Sequence, residues 1–159
     1  GQLAWKLRTD ERVINLERTN FRYVTNEQIP EALDFASIDV SFISLSKILP
    51  VLNPLMKDGG EVVCLIKPQF EAKQKELGKN GILKDPVATL PPLMAELFAC
   101  AAENELTLLG LTVSPIHGTN GNVEYLAHYR HGGDTSPTCD ETLQEMIETV
   151  LTQLPDMEK

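Results

Sequence analysis

The sequence predicts an α/β fold: a mostly parallel, Rossmann-like sheet that ends in one antiparallel hairpin strand. Three observations carry this. Strand-like apolar runs alternate with helix-spaced stretches, which is the signature of a layered parallel sheet. The β-branched run Val62-Val63-Cys64-Leu65-Ile66 opens after Asp58-Gly59-Gly60 and is stopped by Lys67-Pro68, so it reads as a buried parallel strand. The last two strand-like runs are joined only by the short polar loop 117–122, so the final strand turns back against its predecessor. At 159 residues and 42% hydrophobic, the chain suits one domain with a real core.

Residues 1–8 place Leu3, Trp5 and Leu7 among basic residues, as a helix or the end of one. Val13-Ile14-Asn15-Leu16 reads as a short strand followed by polar Glu17-Arg18-Thr19-Asn20, which either faces a ligand or caps a turn. Residues 25–30 suggest a helical turn with a polar cap, and Phe35–Phe42 the next strand. Leu45, Ile48, Leu49 and Leu52 recur at helical spacing within 44–52, before Pro54. After the strand ending at Ile66, residues 69–84 are polar and glycine-containing and are expected to form a mobile loop over the crevice. Asp85-Pro86 is a helix start, with an acidic cap and proline in the first turn, and the helix should run to about Asn104 unless Pro91-Pro92 delays it. Leu106–Ser114 and Val123–Arg130 are the closing strands. A linker, 131–138, then leads to an amphipathic acidic helix over about 140–154. Gly118, Gly121 and Asn122 read as turn geometry.

The chain carries a formal charge of −9, the wrong sign for gripping nucleic acid by bulk attraction. The charge is uneven: Asp134–Lys159 holds seven acids and one base, whereas Lys6, Arg8, Arg12, Arg18 and Arg22, and then Lys67, Lys73, Lys75, Lys79 and Lys84, form two basic groups. Such groups are solvated faces or phosphate contacts. Cys64, Cys100 and Cys139 have no ligand-like spacing and suggest reduced thiols in the cytoplasm. No metal site is expected. No apolar run is long enough to cross a bilayer, no signal peptide is evident and no membrane partner is expected.

Three charged residues stand at strand ends. Lys67 follows the buried strand directly, and in open α/β sheets the ligand crevice lies outside the carboxyl ends of the strands. Taken alone it also reads as a lysine reaching solvent. Asp39 is an acid among apolar neighbours and needs a partner or a function. Glu124 stands at the start of the final strand, where an exposed hairpin acid is the plain alternative.

Four blocks point further: Ser37-Ile38-Asp39-Val40-Ser41-Phe42-Ile43-Ser44-Leu45, Leu65-Ile66-Lys67-Pro68-Gln69-Phe70-Glu71, Gly81-Ile82-Leu83-Lys84-Asp85-Pro86, and Ser114-Pro115-Ile116-His117-Gly118 with Gly121-Asn122-Val123-Glu124. In this order they resemble the TlyA-type family, FtsJ-like ribosomal-RNA 2′-O-methyltransferases often named haemolysins. Trp5-Lys6-Leu7-Arg8 and Glu17-Arg18-Thr19-Asn20 fit the same family, so the resemblance covers about residues 1–130. It implies a partial FtsJ-like methyltransferase domain over 1–130, with 131–159 as linker and acidic helix. It also implies a lysine–aspartate–lysine–glutamate tetrad, whose last three members match Asp39, Lys67 and Glu124. The first lysine, two central strands, the glycine-rich loop for S-adenosylmethionine, the acid for its ribose and an S4-type RNA-binding domain are expected upstream of Gly1. The chain would then be the C-terminal part of the enzyme, inactive alone. Asp39, with Glu17, Arg18 and Thr19 on the adenine side, would contact S-adenosylmethionine, and ribosomal RNA or a ribosomal subunit would be the partner. His117 receives no role.

The chemistry agrees with the resemblance. A ribose hydroxyl is a poor nucleophile at neutral pH and needs a base within hydrogen-bond reach. Lys67 is expected to take or orient its proton, with Asp39 and Glu124 orienting Lys67, and no metal is required. The alternatives are a haemolysin-like membrane-active protein, for which no basic amphipathic helix is evident, and a non-catalytic RNA-binding scaffold.

Overall fold

The computed structural model describes residues 3–133 and 140–153. Its centre is a four-stranded sheet in the order β1-β2-β4-β3, where β1 is Leu33–Ile38, β2 Met56–Ile66, β3 Leu106–Val113 and β4 Tyr125–His131. β1 and β2 pair in parallel, and β4 pairs antiparallel to both β2 and β3. Three strands therefore run one way and β4, the closing hairpin strand, runs against them.

Along β2 and β4 the side chains alternate, and one face forms the core. Val62, Cys64 and Ile66 are fully buried on it beside Tyr125, Ala127 and Tyr129, whereas Val63 and Leu65 are only half-buried. The expected strand is thus a one-sided one: the period of two decides which residues meet the helices. Helix α4, Pro86–Glu103, lays Leu90, Leu93, Met94, Leu97, Phe98 and Ala101 on this face. Its start follows the sequence, with the Asp85 carboxylate accepting from the Ala88 N–H at 3.1 Å. Pro91 and Pro92 do not break it. They remove two ladder hydrogen bonds near its start, and burial of Leu90, Leu93 and Met94 offsets that loss. Helix α5, Asp140–Thr152, adds Ile147 and Val150 to the same core. Asp134–Thr138, Cys139 and Leu154, which belong to the expected linker, thiols and helix end, lie outside the described residues.

Several expectations change. Val13–Leu16 forms no strand, and Ile14 is 81% exposed. A strand needs a neighbouring edge to satisfy its backbone, and no described strand pairs with this run. The first strand stops at Ile38 rather than Phe42, which leaves Asp39 just beyond its carboxyl end. The Asp58-Gly59-Gly60 turn is absorbed into β2 as an irregularity, with Gly59 at φ +79°. The expected helix over 44–52 is split into a 3₁₀ turn, Leu45–Lys47, and one α-turn, α2, Leu49–Leu52. Pro50 lacks the N–H that would join them, yet Leu45, Ile48, Leu49 and Leu52 are all buried as their spacing requires. Residues 69–84 carry local secondary structure rather than a featureless loop. They hold a short helix, α3, Pro68–Glu71, then a 3₁₀ turn, Gln74–Glu76, and a bridge between Leu77 and Leu83. The remaining helix is a single turn near the start, Trp5–Arg8, with no buried residue.

Candidate active site

Sheet topology brings three strand ends together. Because β1 and β2 are parallel and Ile38 pairs with Cys64, Asp39 and Lys67 leave the sheet at the same end. The register of β2 with β4 ends on Ile66 and Tyr125, so the next residues outward are Lys67 and Glu124. This is the carboxyl-end crevice where open α/β sheets place ligands.

Lys67 has 13% of its side chain exposed, against 72% for Asp39, and its Nζ lies 2.6 Å from Asp39 Oδ1. It also donates to Ser41 Oγ at 3.2 Å. The lysine is thus held from the side of the β1 loop while the carboxylate stays open to solvent. Glu124 is buried, and its carboxylate accepts from Gln69 Nε2 at 2.9 Å. Among the described residues its carboxylate makes no ion pair with Lys67; Gln69, two residues along, links the two strand ends instead. The backbone carbonyl of Glu124 accepts from the Ser114 N–H at 2.8 Å, which fixes its position where β3 and β4 part.

Gly118 leaves room for this carboxylate as well as forming part of the turn. A Cβ there would lie 2.2 Å from Glu124 Oε1. Gly121, at φ +80°, and Asn120, at φ +62°, do have the left-handed geometry of a turn.

Helix α3 ties the site together. Gln69 reaches Glu124, and Glu71 accepts from the Leu45 N–H at 2.8 Å, bonding the loop after Asp39 to the turn after Lys67. Burial pushes the Glu71 carboxyl above the ordinary carboxylate range, and hydrogen bonds from Ser44 and Leu45 oppose that rise. Burial also pushes the Cys64 thiol up to about 12, so that cysteine is an inert core residue. Phe42 stands on the rim, 90% exposed at φ +61°, with its ring 4.8 Å from that of Phe70. Left-handed backbone is costly for a bulky residue and clusters at functional sites. Gln69, Glu71, Ser41 and Phe42 all lie inside motif blocks, but sequence reasoning gave none of them a role. Membership of the block was the only signal.

The residues expected on the adenine side make local contacts: Glu17 pairs with Arg8, Thr19 Oγ1 donates to the Glu17 carbonyl, and Arg18 sits at φ +55° on an exposed turn. Among the described residues no hydrogen bond or ion pair joins their side chains to Asp39. Among the described residues no His, Cys, Asp and Glu side chains gather as a metal site, and no helix is long and apolar enough to cross a membrane.

The chain is similar to known proteins over nearly all of its length. Residues 1–131 match the FtsJ-like methyltransferase family. The chain is 48% identical over 151 residues to YqxC of Bacillus subtilis, provisionally named an rRNA methyltransferase, across 94% of this chain and 53% of that one. It is 36% identical over 155 residues to the 16S/23S rRNA (cytidine-2′-O)-methyltransferase TlyA of Mycobacterium tuberculosis, across 98% of this chain and 57% of that one. A solved structure from Streptococcus thermophilus, provisionally called a hemolysin, superposes with a TM-score of 0.87 at 40% identity, covering 99% of this chain and 57% of that one. The chain spans about half the length of the curated relatives it matches.

Proposed function

Because this chain belongs to the FtsJ-like methyltransferase family, we propose that it serves S-adenosylmethionine-dependent 2′-O-methylation of ribose in ribosomal RNA, in the cytoplasm. The observation that carries this reading is the largely buried Lys67, 2.6 Å from Asp39 at the ends of two adjacent parallel strands. Two relatives named for rRNA methylation, one of them for the cytidine 2′-oxygen, support the substrate class.

When bound, S-adenosylmethionine supplies an electrophilic methyl on a cationic sulfur. An open carboxylate at a strand end suits such a cation, so Asp39 is the residue of this cluster assigned to it. Lys67 orients the 2′-hydroxyl when it is an ammonium, and takes the hydroxyl's proton only after giving up its own, as the neutral amine, while the oxygen becomes nucleophilic. Asp39 and Ser41 fix the direction of the Lys67 ammonium group. Glu124 closes the other side, and Gln69 holds its carboxylate there. Glu17, Arg18 and Thr19 are assigned to the adenosine side on the family pattern.

The test is methyl transfer from labelled S-adenosylmethionine to ribosomal subunits by the full-length protein, beside its Lys67→Ala variant. Label in RNA ribose that is lost in the variant is the expected result. Transfer to no RNA while the cofactor still binds would overturn the reading in favour of a non-catalytic RNA-binding scaffold.

A further inference from the structure

The two basic groups of the sequence have different fates. In the first, Arg8 pairs with Glu17, Arg12 pairs with Asp10, and Arg22 lies over the Tyr23 ring at 5.4 Å, while Lys6 and Arg18 are exposed and make no ion pair among the described residues. In the second, Lys67 is taken up by Asp39. Lys84 donates to the Lys75 carbonyl at 2.8 Å. Lys73, Lys75 and Lys79 are exposed, and none makes an ion pair among the described residues. Within 72–84 there are four lysines and one acid, Glu76. Glu76 is itself engaged, accepting from the Lys73 N–H at 2.7 Å.

These lysines sit on a built scaffold. Leu77 bridges to Leu83, Gly78 N–H donates to the Ile82 carbonyl at 2.8 Å, and Lys84 N–H donates to the Glu76 carbonyl at 2.9 Å. The tip is fastened to the opposite wall of the site, where Asn120 Nδ2 donates to the Asn80 carbonyl at 3.1 Å. The loop thus starts two residues after Glu71 and reaches the turn that carries Gly118 against Glu124. Three exposed lysines, none in an ion pair among the described residues, thus lie on a loop tied to both sides of the strand-end cluster, on a chain whose net charge is −9. A local positive patch of this kind draws an anionic partner toward the site, even on a chain of net negative charge.

We propose that loop 73–84 is the surface on which the sugar–phosphate backbone flanking the acceptor nucleotide lies, with Lys73, Lys75 and Lys79 contacting phosphates. The proposal rests on the RNA reading above and gives it a place. A lipid surface fits less well. Leu83 packs toward the core and Leu77 is half-buried, which leaves Ile82, 39% exposed, as the single large apolar side chain that loop 73–84 offers to insert beside its lysines.

The experiment is equilibrium binding of the full-length protein to a ribosomal RNA transcript across a series of KCl concentrations. Wild type is compared with a Lys73→Gln/Lys75→Gln/Lys79→Gln variant and with the matching triple Lys→Arg variant. Lys84 is left in place because it braces the loop. Each phosphate contact on single-stranded RNA contributes roughly 0.7 to the slope of log K against log salt, so the Gln variant should lose about 2 from that slope, and the Arg variant should keep it. An unchanged slope in the Gln variant, with wild type binding RNA normally, overturns this proposal and leaves the RNA reading standing. Absence of salt-dependent RNA binding by wild type overturns both. A loss of binding to phosphatidylglycerol vesicles in the Gln variant, with RNA binding unaltered, would assign the loop to lipid headgroups and also overturn the proposal.

Discussion

The strand-end cluster and the segment from residue 3 to 31 are made of similar amino acids and behave in opposite ways. Around Lys67, charged side chains are drawn inward and fixed by partners from three elements. From 3 to 31 only Val24 is buried, and Trp5, Ile14 and Tyr23 remain 76%, 81% and 71% exposed. The cause is pairing. β2 lies between β1 and β4, so its end is framed on both sides, whereas Val13–Leu16 has no described strand beside it. Among the described residues this apolar run has no edge to pair with and is left exposed. Each substitution below either separates the two regions further or erases the difference.

The largest effect is expected at Lys67. Replacing it by alanine should lower methyl transfer by roughly 10² to 10⁴. Lys67→Arg sharpens the assignment, because a guanidinium keeps the charge but cannot release its proton. An Arg variant as slow as the Ala variant places the proton on Lys67 during the reaction. Recovery in the Arg variant makes Lys67 an orienting cation instead. Full activity in both would put this cluster on the same footing as the N-terminal segment.

Next comes Gly118→Ala. Its Cβ would meet the Glu124 carboxylate, and the buried carboxylate has to move. A displacement of about 1 Å at a site can cost about 10² in rate. The check is a rate measurement combined with Glu124→Gln. If Gly118 acts through Glu124, the double variant is no slower than the Glu124 variant alone.

How much of this was legible in sequence follows from the range of the forces involved. The run 62–66 and the α4 start were legible because alternation, capping and proline stops are local. Lys67 was legible because it directly follows such a strand. The split at Pro50 was legible in principle, since the proline is in plain sight, but the helical spacing of its leucines masked it. Gln69 as the partner of Glu124 was not legible. The two lie 55 positions apart and meet only because β4 inserts beside β2. Gly118 was read as a turn residue because its real constraint, a carboxylate, comes from a residue six positions along that packs back on it.

Glu71 gives a third, smaller effect, in stability rather than rate. Its folded-state pKa is raised by burial. Folded chains therefore keep this proton at a pH where unfolded chains have lost it. The stability it contributes is fully present below the unfolded value of about 4.3, and falls as pH rises toward the folded value. Glu71→Gln, which keeps an acceptor for the Leu45 N–H, should flatten that fall. Urea midpoints between pH 4 and about pH 7 would show it, with the gap between variant and wild type widening in favour of the variant as pH rises. A constant gap would mean that the carboxyl titrates alike in both states.

The smallest effect is expected in the N-terminal segment, at Arg12→Ala. Arg12 binds Asp10 through both its side chain and its backbone N–H, and this holds the Asp10 carboxyl below the ordinary range, the side-chain bond being the larger cause. Arg12 is solvated and lies only two residues from Asp10, so the pair constrains little that the unfolded chain does not already keep close. The urea midpoint of the variant should match wild type within error at low salt and in 1 M KCl alike. The same double measurement on Asp39→Asn should differ, since Lys67 is largely buried and loses its charged partner. Equal responses at the two ion pairs would break the comparison, because a pair two residues apart and a pair that joins two strand ends would then contribute alike.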